Sequence, residues 1–67
     1  MIEVVISTNS KEAEDYVSSI QRRLHDMNLL LVEDGDKNRA MDAAMREVFM
    51  CPEGIINLVD VEFKEIK

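Results

Sequence analysis

The side chains able to do covalent chemistry are few: one cysteine, Cys51, one histidine, His25, and the serines Ser7, Ser10, Ser18 and Ser19. Nucleophilic catalysis needs an activated nucleophile with a base held beside it. Cys51 falls in a turn after the second helical stretch, and His25 falls late in the first, so their spacing does not bring them together. A reactive thiol also needs an electropositive setting, and Cys51 reads instead as a small, half-buried turn residue. His25 reads as a surface residue favoured by the negative end of a helix. The serines suit a strand end, a helix cap and a helix surface. Asp60 and Glu62 share one strand face, but general acid–base work needs carboxylates held in a shaped pocket. With Lys64 beside them they read as a solvated face. The chain has two glycines, each in a turn, and no glycine-rich phosphate loop. No catalytic residue is assigned, no cofactor is implied, and no enzyme is expected.

One segment tests for metal. Asp34-Gly35-Asp36-Lys37-Asn38 resembles the start of an EF-hand calcium loop in its D-x-D-x-N spacing. The resemblance covers these five positions only. The loop should continue with Gly where Arg39 stands and end with Glu where Met45 stands, so the sharp turn and the bidentate ligand are both missing. The segment reads as a polar turn with a helix cap, and no metal site is assigned. Arg22, Arg23, Lys37, Arg39 and Arg46 would form a basic patch if the two helices lay side by side. Such a patch could hold an anion or a small phosphorylated ligand. Glu14, Asp26, Asp42 and Glu47 stand close by in sequence, so salt-bridged helix surfaces are the plainer expectation. Met27, Met41, Met45 and Met50 are many for this length. Methionine serves both adaptable binding surfaces and small cores. Met41 and Met45 fall on a helix stripe and read as core filling, while Met50, at the helix end, is the candidate for an exposed contact.

These residues must be positioned by 67 residues, which make one domain, 1–67. The apolar share of 46% is that of a globular chain rather than a disordered one. In a domain this small, apolar burial barely offsets the entropy of ordering the chain. A single cysteine allows no internal disulfide, so oligomerisation or a bound partner is expected to help. The formal charge is −6. An acidic surface repels nucleic acid and anionic membrane, which disfavours direct binding to either. It would attract basic surfaces, so an acidic mimic of nucleic acid is a further alternative beside simple solubility. No apolar run approaches the roughly 18 residues of a membrane span. Met1-Ile2-Glu3-Val4-Val5-Ile6 lacks the features of a signal peptide, and a lone cysteine fits a cytoplasmic location.

The element pattern is legible from periodicity. Met1 to Thr8 reads as a strand with Ile2, Val4 and Ile6 on one face. Asn9 or Ser10 is placed to cap a helix, with Glu12 three residues after Asn9 in the manner of a capping box. Ala13, Tyr16, Val17, Ile20, Leu24 and Met27 then form an apolar stripe from about Ser10 to Met27. Asn28 is placed to end that helix in a left-handed conformation. Leu29 to Val32 reads as a short strand, with a helix extension as the alternative. Gly35 is available for positive φ in a turn, and Asp36 can cap a second helix from about Lys37 to Met50. Its apolar residues come in adjacent pairs: Ala40-Met41, Ala44-Met45 and Val48-Phe49. Pro52 ends it, and Gly54 to Ile66 reads as the longest strand.

The expected fold is a small two-layer α/β (α+β) sandwich of order β-α-(short β)-α-β. Two amphipathic helices pack on a two- or three-stranded sheet. A strand at Leu29–Val32 implies right-handed parallel crossovers; otherwise the terminal strands pair antiparallel. Val59, Val61 and Phe63 are expected to face the helices. Ile55, Ile56 and Leu58 would leave the last strand apolar on both faces. The expected function is therefore a non-catalytic protein-interaction module, an inhibitor or adaptor of another protein. Its partner is another protein or a second copy of itself, bound by strand addition or through Met50, Ile55, Ile56 and Leu58. The alternative is a small-ligand or anion-binding protein using the basic helix residues. The general look of the chain, an acidic single domain beginning at its own Met, is compatible with an accessory protein of a phage or mobile element.

Overall fold

The alternation of Ile2, Val4 and Ile6 with polar residues makes a strand with one dry side, and that side is the floor of the core. In the computed structural model, which describes residues 1–66, β1 spans Ile2–Ser7, and all three of these side chains are buried. A 3₁₀ turn at Lys11–Ala13 leads into α1, Glu14–Asp26. Then come β2 (Leu31–Val32), a 3₁₀ turn at Asp34–Asp36, α2 (Lys37–Phe49), the four-residue α3 (Glu53–Ile56) and β3 (Asp60–Glu65). The sheet has the order β2-β1-β3, and both pairings are antiparallel. The helices cover one face of the sheet, so the architecture is the expected two-layer α+β sandwich.

The core is a single cluster. Val17, Ile20 and Leu24 of α1 and Ala40, Ala44 and Val48 of α2 close over Ile2, Val4 and Ile6, with Leu29 and Val32 joining them. The ridge of α2 that reaches the core is the 40-44-48 line. The second member of each adjacent pair lies to one side of it: Met41 and Met45 are half-buried, and Phe49 is 67% exposed. A face two residues wide is broader than this small core can cover.

The parallel crossover is not formed, for a geometric reason. Gln21 of α1 donates its Nε2 hydrogen to the Ile6 carbonyl at 2.7 Å, so two thirds of the way along α1 the chain is still beside the far end of β1. The helix runs out near Val4. Asn28 takes the left-handed conformation, with φ 58°, and the Leu29 amide donates to the Leu24 carbonyl at 2.8 Å. The chain then completes its descent as β2: the Val4 amide donates to the Leu30 carbonyl, and Ile2 stands opposite Val32. A strand that continues the direction of the helix runs antiparallel to β1.

The last strand is shorter than its apolar run suggests. Ile55 and Ile56 lie in α3, and Leu58 in the turn after it. After Pro52, the amides of Ile55 and Ile56 both donate to its carbonyl, at 2.8 and 3.1 Å, and the Leu58 amide donates to Ile55. An unbroken apolar run carries no period, so a helical turn and a strand are indistinguishable in it. β3 keeps the alternating half, and Val59, Val61 and Phe63 pack against the core from half-buried positions.

Three local expectations are corrected. The capping box is absent: the Thr8 hydroxyl accepts the Ser10 amide at 3.0 Å and donates to the Leu58 carbonyl, tying the end of β1 to the start of β3. Neither Ser10 nor Asp36 makes a side-chain cap bond. Gly35 does not use positive φ, because the turn is 3₁₀, closed by the Asp36 amide on the Glu33 carbonyl at 2.9 Å.

Leu24→Ala should lower the unfolding free energy by about 3 kcal/mol, since it empties a fully buried site. Phe49→Ala should change it by less than about 0.5 kcal/mol. Urea denaturation of both variants checks the assignment of core and surface.

Candidate functional site

Helices α1 and α2 run side by side in opposite directions, pinned by a hydrogen-bonded ion pair between Arg23 and Glu47 at 3.0 Å. Arg23 is largely exposed, but the Glu47 side chain is only 14% exposed, so the pair is worth more than a free surface bridge. It divides the seam between the helices into two open grooves. The first, about 240 Å³, is lined by Tyr16, Ser19 and Ile20 of α1, the ion pair, and Met50 and Cys51 just past α2. The second, about 490 Å³, is lined by Met27, Leu29, Arg39, Asp42, Ala43 and Arg46, again with Glu47.

Met50 is the most exposed large apolar side chain of the described residues, at 70%, and stands at the mouth of the first groove. Tyr16 lines the same groove from α1, whereas Phe49, 67% exposed, precedes Met50 but does not line the groove. Of the sequence candidates, Met50 is thus exposed. Ile55, Ile56 and Leu58 are half-buried, and Ile56 packs against the core. Tyr16 and Phe49, which the sequence places on the apolar faces of the two helices, are exposed. The signal that separates them is their angular distance from the 40-44-48 and 13-17-20-24 ridges that do reach the core.

The basic residues do not converge. Arg23 is taken by Glu47, and Arg46 is paired with Asp42 at 3.2 Å. Arg39 and Arg46 share the second groove, whereas Arg22 and Lys37 are exposed and line neither groove. Among the described residues, no cluster of three or more His, Cys, Asp or Glu side chains is placed to hold a metal ion. His25 is exposed beside Asp26 and lines a separate depression with Asn28, Leu30 and Leu31, away from Cys51.

Cys51 is half-buried, and its thiol donates to the Glu47 carbonyl at 3.6 Å. Burial pushes the thiol's pKa up, the Glu47 carboxylate adds to that shift, and Arg23 partly offsets it. The thiolate is therefore scarcer at neutral pH than in a free thiol, which is the opposite of what a nucleophile requires. No described helix is long and apolar enough to cross a membrane.

Comparison with known proteins returns no relative: no family model matches the chain, and neither a curated protein nor a solved structure does.

Alkylation of Cys51 by iodoacetamide at neutral pH should be slower than that of a free thiol and should rise only at a higher pH. A rate equal to or above the free thiol's would contradict the assigned environment. Glu47→Gln removes the carboxylate that adds to the upward shift and should speed the reaction.

Proposed function

We propose that the protein is a non-catalytic interaction module, an inhibitor or adaptor that binds another protein through the Met50 end of its helix layer. The observation that carries this reading is Met50, 70% exposed at the end of α2, standing over a groove that Tyr16 lines from α1. A contiguous apolar patch rimmed by polar groups is how a protein-binding site usually presents itself. Met50 and Tyr16 supply flexible and flat apolar contact. Arg23, Glu47 and Ser19 supply the polar rim. With a net charge of −6, a partner surface carrying basic groups around an apolar centre is favoured. Affinity capture from the source cell, with the wild-type chain and with Met50→Asp, tests the reading. The expected result is a protein recovered by the wild type and lost at least tenfold with the variant, whose circular dichroism is unchanged. Recovery unaffected by the substitution would refute it.

A second reading has one observation behind it. Arg39 and Arg46 share the larger groove, where a small anion could sit. Inorganic phosphate and nucleotides at millimolar concentration should then raise Tm by an amount that disappears in Arg39→Ala. No rise with the wild type would sink it.

A further inference from the structure

Among the described residues the outer edge of β3 pairs with no other strand, and its chemistry can be read residue by residue. The Ile66 amide donates to the Met1 carbonyl at 2.7 Å, and the Met1 nitrogen donates back to Ile66 at 3.2 Å. Exchanging pairs alternate along an antiparallel ladder. With the observed register, the exchanging pairs are Glu3/Lys64, Val5/Glu62 and Ser7/Asp60. The backbone groups of Val61, Phe63 and Glu65 therefore point away from β1. The same parity on the other side of β1 agrees, since the Val4 amide goes to Leu30 and the Ile6 carbonyl to Gln21. The sheet order makes the outer edge of β3 free.

Protein edges are usually blunted by charged side chains, proline, bulges or brevity, and of these β3 has only the charges. β3 has six residues, an unbroken register and no proline. On its helix side, Val61 and Phe63 are only half-buried. On its open side it carries Asp60, Glu62 and Lys64, the last two 3.7 Å apart.

We propose that this edge pairs with the same edge of a second copy, β3 against β3 antiparallel, about a twofold axis through Phe63. The argument is charge complementarity in register. Bonding through Val61, Phe63 and Glu65 allows a twofold centred on residue 61, 62, 63, 64 or 65. Centring on 61 sets Asp60 against the mate's Glu62, and centring on 62 sets Glu62 against itself. Centring on 64 sets Lys64 against itself, and centring on 65 loses most of the pairing. Centring on Phe63 sets Glu62 against the mate's Lys64 twice, sets Phe63 against Phe63 on the helix side, and leaves no like-charge pair. Like charges directly opposite destabilise a pair and unlike charges support it. The product is a six-stranded antiparallel sheet with all helices on one face. The two α2 helices then turn towards each other the sides that carry Met41 and Met45. The edge is separate from the Met50 groove, so the pairing goes beyond the proposed function and is tested apart from it.

Sedimentation equilibrium of the full chain across a concentration series reads the mass. The expected result is a reversible approach to twice the 7.7-kDa chain mass. Lys64→Glu and Glu62→Lys, which place like charges opposite each other, should each weaken the association about tenfold. The double reversal, Glu62→Lys with Lys64→Glu, should restore it, and Met50→Asp should leave it unchanged. A wild-type chain that stays monomeric at millimolar concentration overturns the proposal. So does a dimer indifferent to the single reversals, or one dissociated by Met50→Asp; that last outcome would assign self-association to the Met50 patch. Chemical shifts of the reversed variants that match the wild type outside β3 exclude a folding defect as the cause.

Discussion

Strand β1 is hydrogen-bonded on both edges, and its Ile2, Val4 and Ile6 face is the surface on which the rest of the molecule is assembled. Each neighbour meets it through a different device. β3 uses a full ladder. β2 uses only the lower part, and where β2 is too short the Gln21 side chain takes the free Ile6 carbonyl. The helices contribute narrow ridges rather than broad faces. Buried backbone groups must find partners, and in a three-stranded sheet the central strand is the only one whose partners all come from within the chain.

This constraint explains which parts of the fold were legible. Ile2, Val4 and Ile6, and Val17, Ile20 and Leu24, carry clear periods of 2 and 3.6, and both elements formed as read. Asn28 ended its helix as its tolerance of positive φ suggests. Strand direction was not legible, because it depends on how far α1 is offset along β1, and no local pattern records that offset. Nor was the break between Ile56 and Asp60 legible, since β-branched apolar residues there suit a strand and Pro52 suits the start of a helical turn. Pro52 prevailed because its carbonyl accepts two amides, those of Ile55 and Ile56.

The candidate site was partly legible for a related reason. Met50 follows the last turn of α2 and lies off the 40-44-48 ridge that reaches the core, and its exposure follows from that position around the helix. Phe49 was hidden in a run of adjacent apolar pairs, of which only Ala40, Ala44 and Val48 have room beneath them. The small residues at the centre of α2 let it approach the sheet and α1 closely, which leaves the larger members of each pair at the side. The most exposed apolar side chains, Phe49 and Met50, therefore stand at the end of α2, with Leu31 of β2 and Met27 exposed elsewhere and Val61 and Phe63 of β3 half-buried. Thermodynamically, a small core that leaves such surface uncovered gains from any partner that covers it.

Residue-resolved amide hydrogen exchange tests the central role of β1 most directly. The account predicts that the slowest amides of the sheet are those of Val4, bonded to Leu30, and Val5, bonded towards β3, with exchange only through global unfolding. The amides of α3 should exchange orders of magnitude faster. Val4 and Val5 amides that exchange as fast as those of Ile55 and Ile56 would contradict it, because the strand on which everything else rests would then be no more stable than a surface turn.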